Sequence, residues 1–180
     1  MHYLKGLETD RLIIRKLHRR DTPVWSRFFL DTSCFDFIGL KDDKSPCEHS
    51  GEWMERQFRR YRNGEYGLMA LVEKEGLNLV GQCGLIKMNV SRPDELEIGY
   101  HIIEEYRGKG FASEAAKAFL DLAFENKLAN SVITVININN KYSMSVSEKL
   151  GLKRMEEITC LDMASYVYRI SRDEWEAKRS

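Results

Sequence analysis

Six residues past the middle of the chain, Arg107-Gly108-Lys109-Gly110-Phe111-Ala112, have types and spacing that could hold a phosphate. Gly108 and Gly110 let the backbone come close to a ligand and adopt dihedral angles closed to other residues. Ala112 keeps the first turn of a following helix small. Such a turn presents N–H groups without intrahelical partners, together with the positive end of the helix dipole. Arg107 and Lys109 add charge that can pair with phosphate oxygens. The same glycines would also suit a plain turn capping a core helix, because short glycine motifs recur by chance. Two nucleotide-binding patterns fit less well. A P-loop needs G-x-x-x-x-G-K-S/T, and Gly110 is followed by Phe111. A dinucleotide fingerprint needs a third small residue where Ser113 stands, and an acidic residue ending the next strand, which instead ends Asn137-Ile138-Asn139-Asn140.

A turn of this kind needs a strand before it and a helix after it. Glu95 to Ile103 reads as the strand. Gly110 to Asn126 is the clearest helix of the chain, with Phe111, Ala115, Ala118, Phe119 and Leu122 on one stripe. Upstream, the short β-branched run Leu12-Ile13-Ile14-Arg15 predicts a first strand. Asp21-Thr22-Pro23 predicts a helix start, with Trp25, Phe28 and Phe29 at helical spacing behind it. Asp31 to Ser45 has the irregular polarity of a loop or broken helix. Pro46 to Arg62 predicts a second helix, with Trp53, Met54, Gln57, Phe58 and Tyr61 on one face and Arg56, Arg59, Arg60 and Arg62 on the other. Those arginines suit a solvated face, or a docking site for an acidic partner or a phosphate. Tyr66 to Val72 and Leu79 to Met88 read as strands joined at Glu75-Gly76, and Arg92-Pro93-Asp94 as a turn. Val132 to Ile138 is almost wholly apolar, as expected of a strand buried on both faces. Asn140 to Leu150 predicts a short helix ended by Gly151. Strands around Met155 to Cys160 and Tyr166 to Ile170 lead to a polar tail. Mostly β order with helices inserted between strands predicts a three-layer α/β domain around a mixed sheet.

The 180 residues suit one domain, and 43% apolar content supports a sizeable core. Basic and acidic residues balance at 28 each, which gives no support to a nucleic-acid or membrane-surface role. Cys34, Cys47, Cys83 and Cys160 are widely and irregularly spaced, with no zinc-like pattern, so reduced thiols and no metal are expected. No apolar h-region opens the chain and no run approaches the ~18 residues of a membrane span. A cytoplasmic protein, monomeric or homodimeric, is the expectation.

Against this background the glycine run resembles motif A of the GNAT acetyltransferase superfamily, Q/R-x-x-G-x-G/A. The resemblance extends on both sides. Glu97-Ile98-Gly99-Tyr100-His101-Ile102-Ile103 is similar to the family's central strand. Asn140-Lys141-Tyr142-Ser143 followed by Glu148-Lys149-Leu150-Gly151-Leu152 resembles its N-x-x-A/S … E-K-L-G-F segment, with Leu152 where Phe is usual. The opening Glu8-Thr9-Asp10-Arg11-Leu12-Ile13-Ile14-Arg15 resembles E-T-x-R-L-x-L-R of the RimJ/RimL-like branch, which acetylates ribosomal-protein N-termini. The stretch Tyr168 to Trp175 fits that branch too.

The resemblance implies a central sheet, mostly antiparallel, with a splayed parallel strand pair and helices on both faces. Acetyl-CoA would lie in the split, its pantetheine along the strand ending Ile102-Ile103 and its pyrophosphate on the N–H groups from Gly108 to Ala112. Asn140 would reach the pantetheine, and Ser143 would sit near the thioester sulfur. Amine attack on a thioester needs a neutral amine, hence a base near neutral pH. Glu97 fits that role, although a glutamate on a solvent-facing strand position would look the same in sequence. Backbone N–H groups near Ile102 would stabilise the oxyanion. Where many relatives carry a proton-donating tyrosine before E-K-L-G, this chain has Ser147. Ser143, or less readily Tyr142, is the candidate to protonate the thiolate, with helix capping the plain alternative for Ser143. His101 reads as a core or cavity-wall residue, and Cys83 has no partner histidine for a nucleophilic role. The acceptor implied is an amine, either a protein N-terminus or a small molecule. A non-catalytic acyl-CoA-binding module is the reading of another class.

Overall fold

The structure is a computed structural model that describes residues 6–87, 92 and 95–179. Met88 and most of the turn expected at Arg92-Pro93-Asp94 lie outside the described residues. Seven strands form one sheet: β1 (Leu12–Arg15), β2 (Leu68–Glu73), β3 (Leu79–Ile86), β4 (Glu95–Ile102), β5 (Ser131–Asn137), β6 (Lys153–Cys160) and β7 (Met163–Ser171). Their spatial order is β1-β2-β3-β4-β5-β7-β6. Every adjacent pair is antiparallel except β4 and β5, which run parallel.

That parallel pair opens into a wedge. β4 and β5 are matched only at Glu95 with Ser131, Leu96 with Val132 and Glu97 with Ile133. Beyond Glu97, β4 stays on β3 as far as Ile102, and β5 stays on β7 as far as Asn137. The closed end is held by a polar network. Ser131 Oγ donates to Glu95 Oε1 at 2.8 Å, and Arg169 of β7 pairs with Glu95 and, at 3.0 Å, with Glu156.

Among the described residues there are six α-helices: α1 (Thr22–Trp25), α2 (Phe35–Ile38), α3 (Pro46–Arg62), α4 (Phe111–Glu125), α5 (Lys141–Lys149) and α6 (Arg172–Ala177). α3 starts where sequence chemistry places it. Ser45 and Glu48 cap each other's backbone N–H groups, and Pro46 fills the first turn. Successive residues of a strand face opposite sides of a sheet, so β4 identifies the two layers. His101 packs on Trp53 and Phe28 of the α1–α3 side. Its neighbour Tyr100 reaches α5, which touches α4, on the opposite side. α4 buries the predicted Phe111, Ala115, Phe119 and Leu122.

Two expectations need correction. The helix expected from Asp21 is one α-helical turn that tightens to 3-10 geometry over Ser26–Leu30. There Trp25, Phe28 and Phe29 stack and meet edge-on against Trp53, and this aromatic packing outweighs helical continuity. The polar tail is not shapeless, for it contains α6. Ser171 and Glu174 form a capping box, and Trp175 donates from Nε1 to Asp121 at 2.8 Å.

Candidate active site at the splayed strand pair

The turn at the mouth of the wedge is built on two left-handed residues, Gly108 at φ +74° and Gly110 at φ +84°. Gly110 is the N-cap of α4, and no side chain caps that end. The first N–H groups of α4 are thus offered outward with the helix dipole behind them. Arg11, beside β1, braces this turn. Its Nη1 donates to the Lys109 carbonyl at 2.9 Å, it pairs with Glu114 at 2.6 Å, and it lies over the Phe111 ring at 4.7 Å. Arg107 has its charge answered within the chain. It pairs with Asp31 and donates from Nε to the Ile102 carbonyl at 3.1 Å. Lys109 lies 5.0 Å over the Tyr106 ring. Phe111 is buried and Ala112 half-buried, so these two residues face the ligand side through backbone alone.

Ile102 and Ile103 part company here. The Ile103 N–H donates to Val80 O of the β3 side at 3.0 Å. By the alternation of an antiparallel ladder, the peptide groups of Ile98, Tyr100 and Ile102 point the other way, into the wedge. Beyond Glu97 the wedge therefore presents a strand edge that β5 does not pair, with the Ile102 carbonyl taken by Arg107 and the N–H groups of Tyr100 and Ile102 left for an extended amide-bearing arm to join.

Glu97 stands where the strands separate. It is half-buried. Burial pushes its carboxyl from an ordinary 4.5 up to about 7, although the Val135 N–H across the wedge and the Arg60 charge both pull it down. A carboxyl that titrates near neutrality can take a proton from an ammonium and return it to solvent.

A group of hydroxyls lines the α5 side. Tyr100 donates to the Ser143 carbonyl at 3.0 Å and interacts with the side chains of Ser147 and Ser143, and burial raises its phenol to about 12. Ser147 Oγ and Thr134 Oγ1 lie 2.8 Å apart. Asn140 Oδ1 caps the Ser143 N–H at 3.1 Å, so Asn140 rather than Ser143 is the cap of α5. Tyr142 is 89% exposed and points away from this group. Burial lowers His101 to about 4, which keeps it a neutral wall of the aromatic layer.

Glu97 and Ile102 thus come to the wedge, Ser143 comes to it through Tyr100, Gly108 to Ala112 lie at its mouth, and the Asn140 side chain is engaged in capping α5. Tyr100, Arg11 and Asp31 escaped the sequence reading. Tyr100 left a signal as an alternating position on the central strand and Arg11 as a member of the opening motif, whereas Asp31 left none.

A family model described as an acetyltransferase (GNAT) domain matches residues 11–153. The chain belongs to the GNAT acetyltransferase family. It is 30% identical over 148 residues to the uncharacterized protein YkkB of Bacillus subtilis, covering 81% of this chain and 84% of that one. It is 32% identical over 179 residues to YnaD, an uncharacterized N-acetyltransferase of the same bacterium, covering 94% and 98%. Among solved structures, RimL, a ribosomal L7/L12 alpha-N-protein acetyltransferase in complex with coenzyme A, superimposes with a TM-score of 0.73 over 92% of this chain and 97% of that one. At 13% identity that likeness shows the fold alone. As a GNAT acetyltransferase the chain uses acetyl-CoA to acetylate an amine. The uncapped α4 turn fits a pyrophosphate and the unpaired β4 edge fits a pantetheine amide.

Proposed function

We propose that this acetyltransferase acts on the α-amine of a protein N-terminus, in the manner of the ribosomal-protein branch. The observation that carries this reading is the place of the branch's opening motif in the site. Thr9 and Arg11, from Glu8-Thr9-Asp10-Arg11-Leu12, both hold Glu114 in the first turn of α4, and Arg11 also holds the Lys109 carbonyl. The branch signature is therefore joined to the cofactor turn. The name of RimL lends the same direction.

In this reading the N–H groups from Gly108 to Ala112, with Lys109 and Arg11 around them, receive the pyrophosphate. Arg107 positions the turn through Asp31 and the Ile102 carbonyl. Acetyl-CoA brings a thioester that is open to attack by a neutral amine. Glu97 takes the proton from the acceptor ammonium, directly or through a water. The amine nitrogen bonds to the thioester carbon, the carbon–sulfur bond breaks, the sulfur takes a proton from the Ser143 hydroxyl, and the proton that the amide nitrogen sheds returns through water to Ser143, whose carbonyl Tyr100 holds. A wedge-facing N–H of β4 stabilises the oxyanion.

The test is acetylation followed by mass spectrometry, with acetyl-CoA and a panel of peptides beginning Ser, Ala or Met beside polyamines and free amino acids. Acetylated peptide N-termini with untouched polyamines are expected. Inert peptides beside acetylated small amines would refute the N-terminal reading.

A further inference from the structure

α3 carries four arginines, and the structure divides them. Arg62 is paired with Glu55 at 2.7 Å. Arg56, Arg59 and Arg60 have no carboxylate within 4.0 Å among the described residues. Glu52, the acid one turn before Arg56, is paired with Lys44 at 2.7 Å. Positive charge near a helix C-terminus is favourable, which accounts for Arg59, Arg60 and Arg62 in the last turn. It does not account for Arg56, which stands one turn before Arg60, so that the two like charges repel each other.

Their positions are informative. Arg56 lies 5.3 Å over the Trp53 ring, and Trp53 meets His101 of β4 at 4.8 Å. The Arg60 side chain lies along Gly67, 3.5 Å from where a Cβ there would be, and its charge is felt at Glu97. Glu97 and His101 share the strand face turned to α3, because they are four residues apart. Tyr100 and the α4–α5 layer occupy the opposite face, where the cofactor turn opens. An acceptor amine that reaches Glu97 from the α3 side passes Arg56 and then Arg60, whose charge is felt at Glu97. The two arginines are about 6 Å apart along the helix, and four residues of extended chain span about 13 Å. A second cationic group on the acceptor would be repelled here, and a carboxylate close behind the amine would be attracted.

Resting on Glu97 as the base of the N-terminal acetylation proposed above, we infer that the acceptor is a peptide with acidic side chains at its second to fourth positions, held by Arg60 and Arg56. The test measures kcat/KM at low ionic strength for peptides that begin with the same residue and continue with Glu-Glu, Gln-Gln or Lys-Lys. An amino acid is compared with its amide alongside them. The acidic peptide is expected to exceed the basic one by about tenfold or more, the scale of charge steering in a cleft lined by one sign. In Arg56→Gln/Arg60→Gln the ratio should fall to near one, and in Arg56→Glu/Arg60→Glu it should invert. A merely structural role for these arginines would lower all three peptides together and leave the ratio intact, which overturns the inference. Equal rates in the wild type, or a basic preference, overturn it while leaving N-terminal acetylation standing. Inert peptides beside an amino acid acetylated faster than its amide would keep the charge preference and refute the peptide acceptor instead.

Discussion

Glu95 and Glu97 are two residues apart on one strand and have opposite fates. Glu95 is 3% exposed and sits at the closed end of the β4–β5 pair. There Ser131 and Arg169 satisfy its carboxylate, and the charge serves to tie β4, β5 and β7 together. Glu97 stands where the same two strands part, and no guanidinium among the described residues is bonded to it. Its burial is only partly offset, by the Val135 N–H and the Arg60 charge, so its proton is held to about pH 7. One carboxylate is structural because it is ion-paired; the other lacks an ion pair among the described residues and is the one proposed above for chemistry. The strand supplies both roles within about 7 Å, two residues of extended chain.

The contrast can be broken at either carboxylate. Glu97→Gln keeps the shape and removes the base, and kcat/KM should fall by roughly 10²–10⁴-fold with the fold intact. Unchanged turnover would place the base elsewhere. At the other end, Arg169→Ala leaves Glu95 buried without its ion pair, and denaturant unfolding should show a loss of about 3–5 kcal/mol. A loss below about 1 kcal/mol would mean that the network does not hold the closed end. At the mouth of the wedge, Gly110→Ala forces a side chain into a left-handed conformation, and its Cβ would stand 3.3 Å from an Arg11 nitrogen. A cost of roughly 1–2 kcal/mol is expected, with a raised KM for acetyl-CoA and little change in the acceptor KM. Tyr100→Phe removes the bond to Ser143, and a stability loss of roughly 0.5–1.5 kcal/mol should accompany a slower kcat.

The two carboxylates also differ in what pH does to stability. The folded state holds the Glu97 proton to about pH 7, whereas the unfolded chain releases it near 4.5. Ionisation therefore costs the folded state more, and this contribution destabilises progressively as pH rises from 4.5 to 7, then levels off. Glu97→Gln should remove that slope, so the melting temperature of the variant should gain on the wild type across this window.

Much of this arrangement was legible in the sequence. The glycine turn, α4 and the central strand could be read because periodicity and glycine placement act locally. The bounds of α3 were marked by Ser45, Pro46 and Glu48, whose capping chemistry is also local. The division of labour between Glu95 and Glu97 was not legible, since it depends on Arg169, more than seventy residues away in the chain. Tyr100 was overlooked for the same reason, as its partners Ser143 and Ser147 belong to a helix that only the fold brings near. The Arg107 charge looked free for phosphate until the fold set Asp31 beside it. The broken helix near Trp25 was misjudged because aromatic packing, rather than local spacing, decides its geometry.

The most direct test of the account is the pH dependence of kcat/KM, with a peptide acceptor, from pH 5.5 to 9. If Glu97 is the base, the wild-type rate rises with one proton lost near pH 7, and Glu97→Gln loses that inflection along with most of its rate. A wild-type profile that rises only with the acceptor amine, or an inflection near 7 that survives in Glu97→Gln, would contradict it.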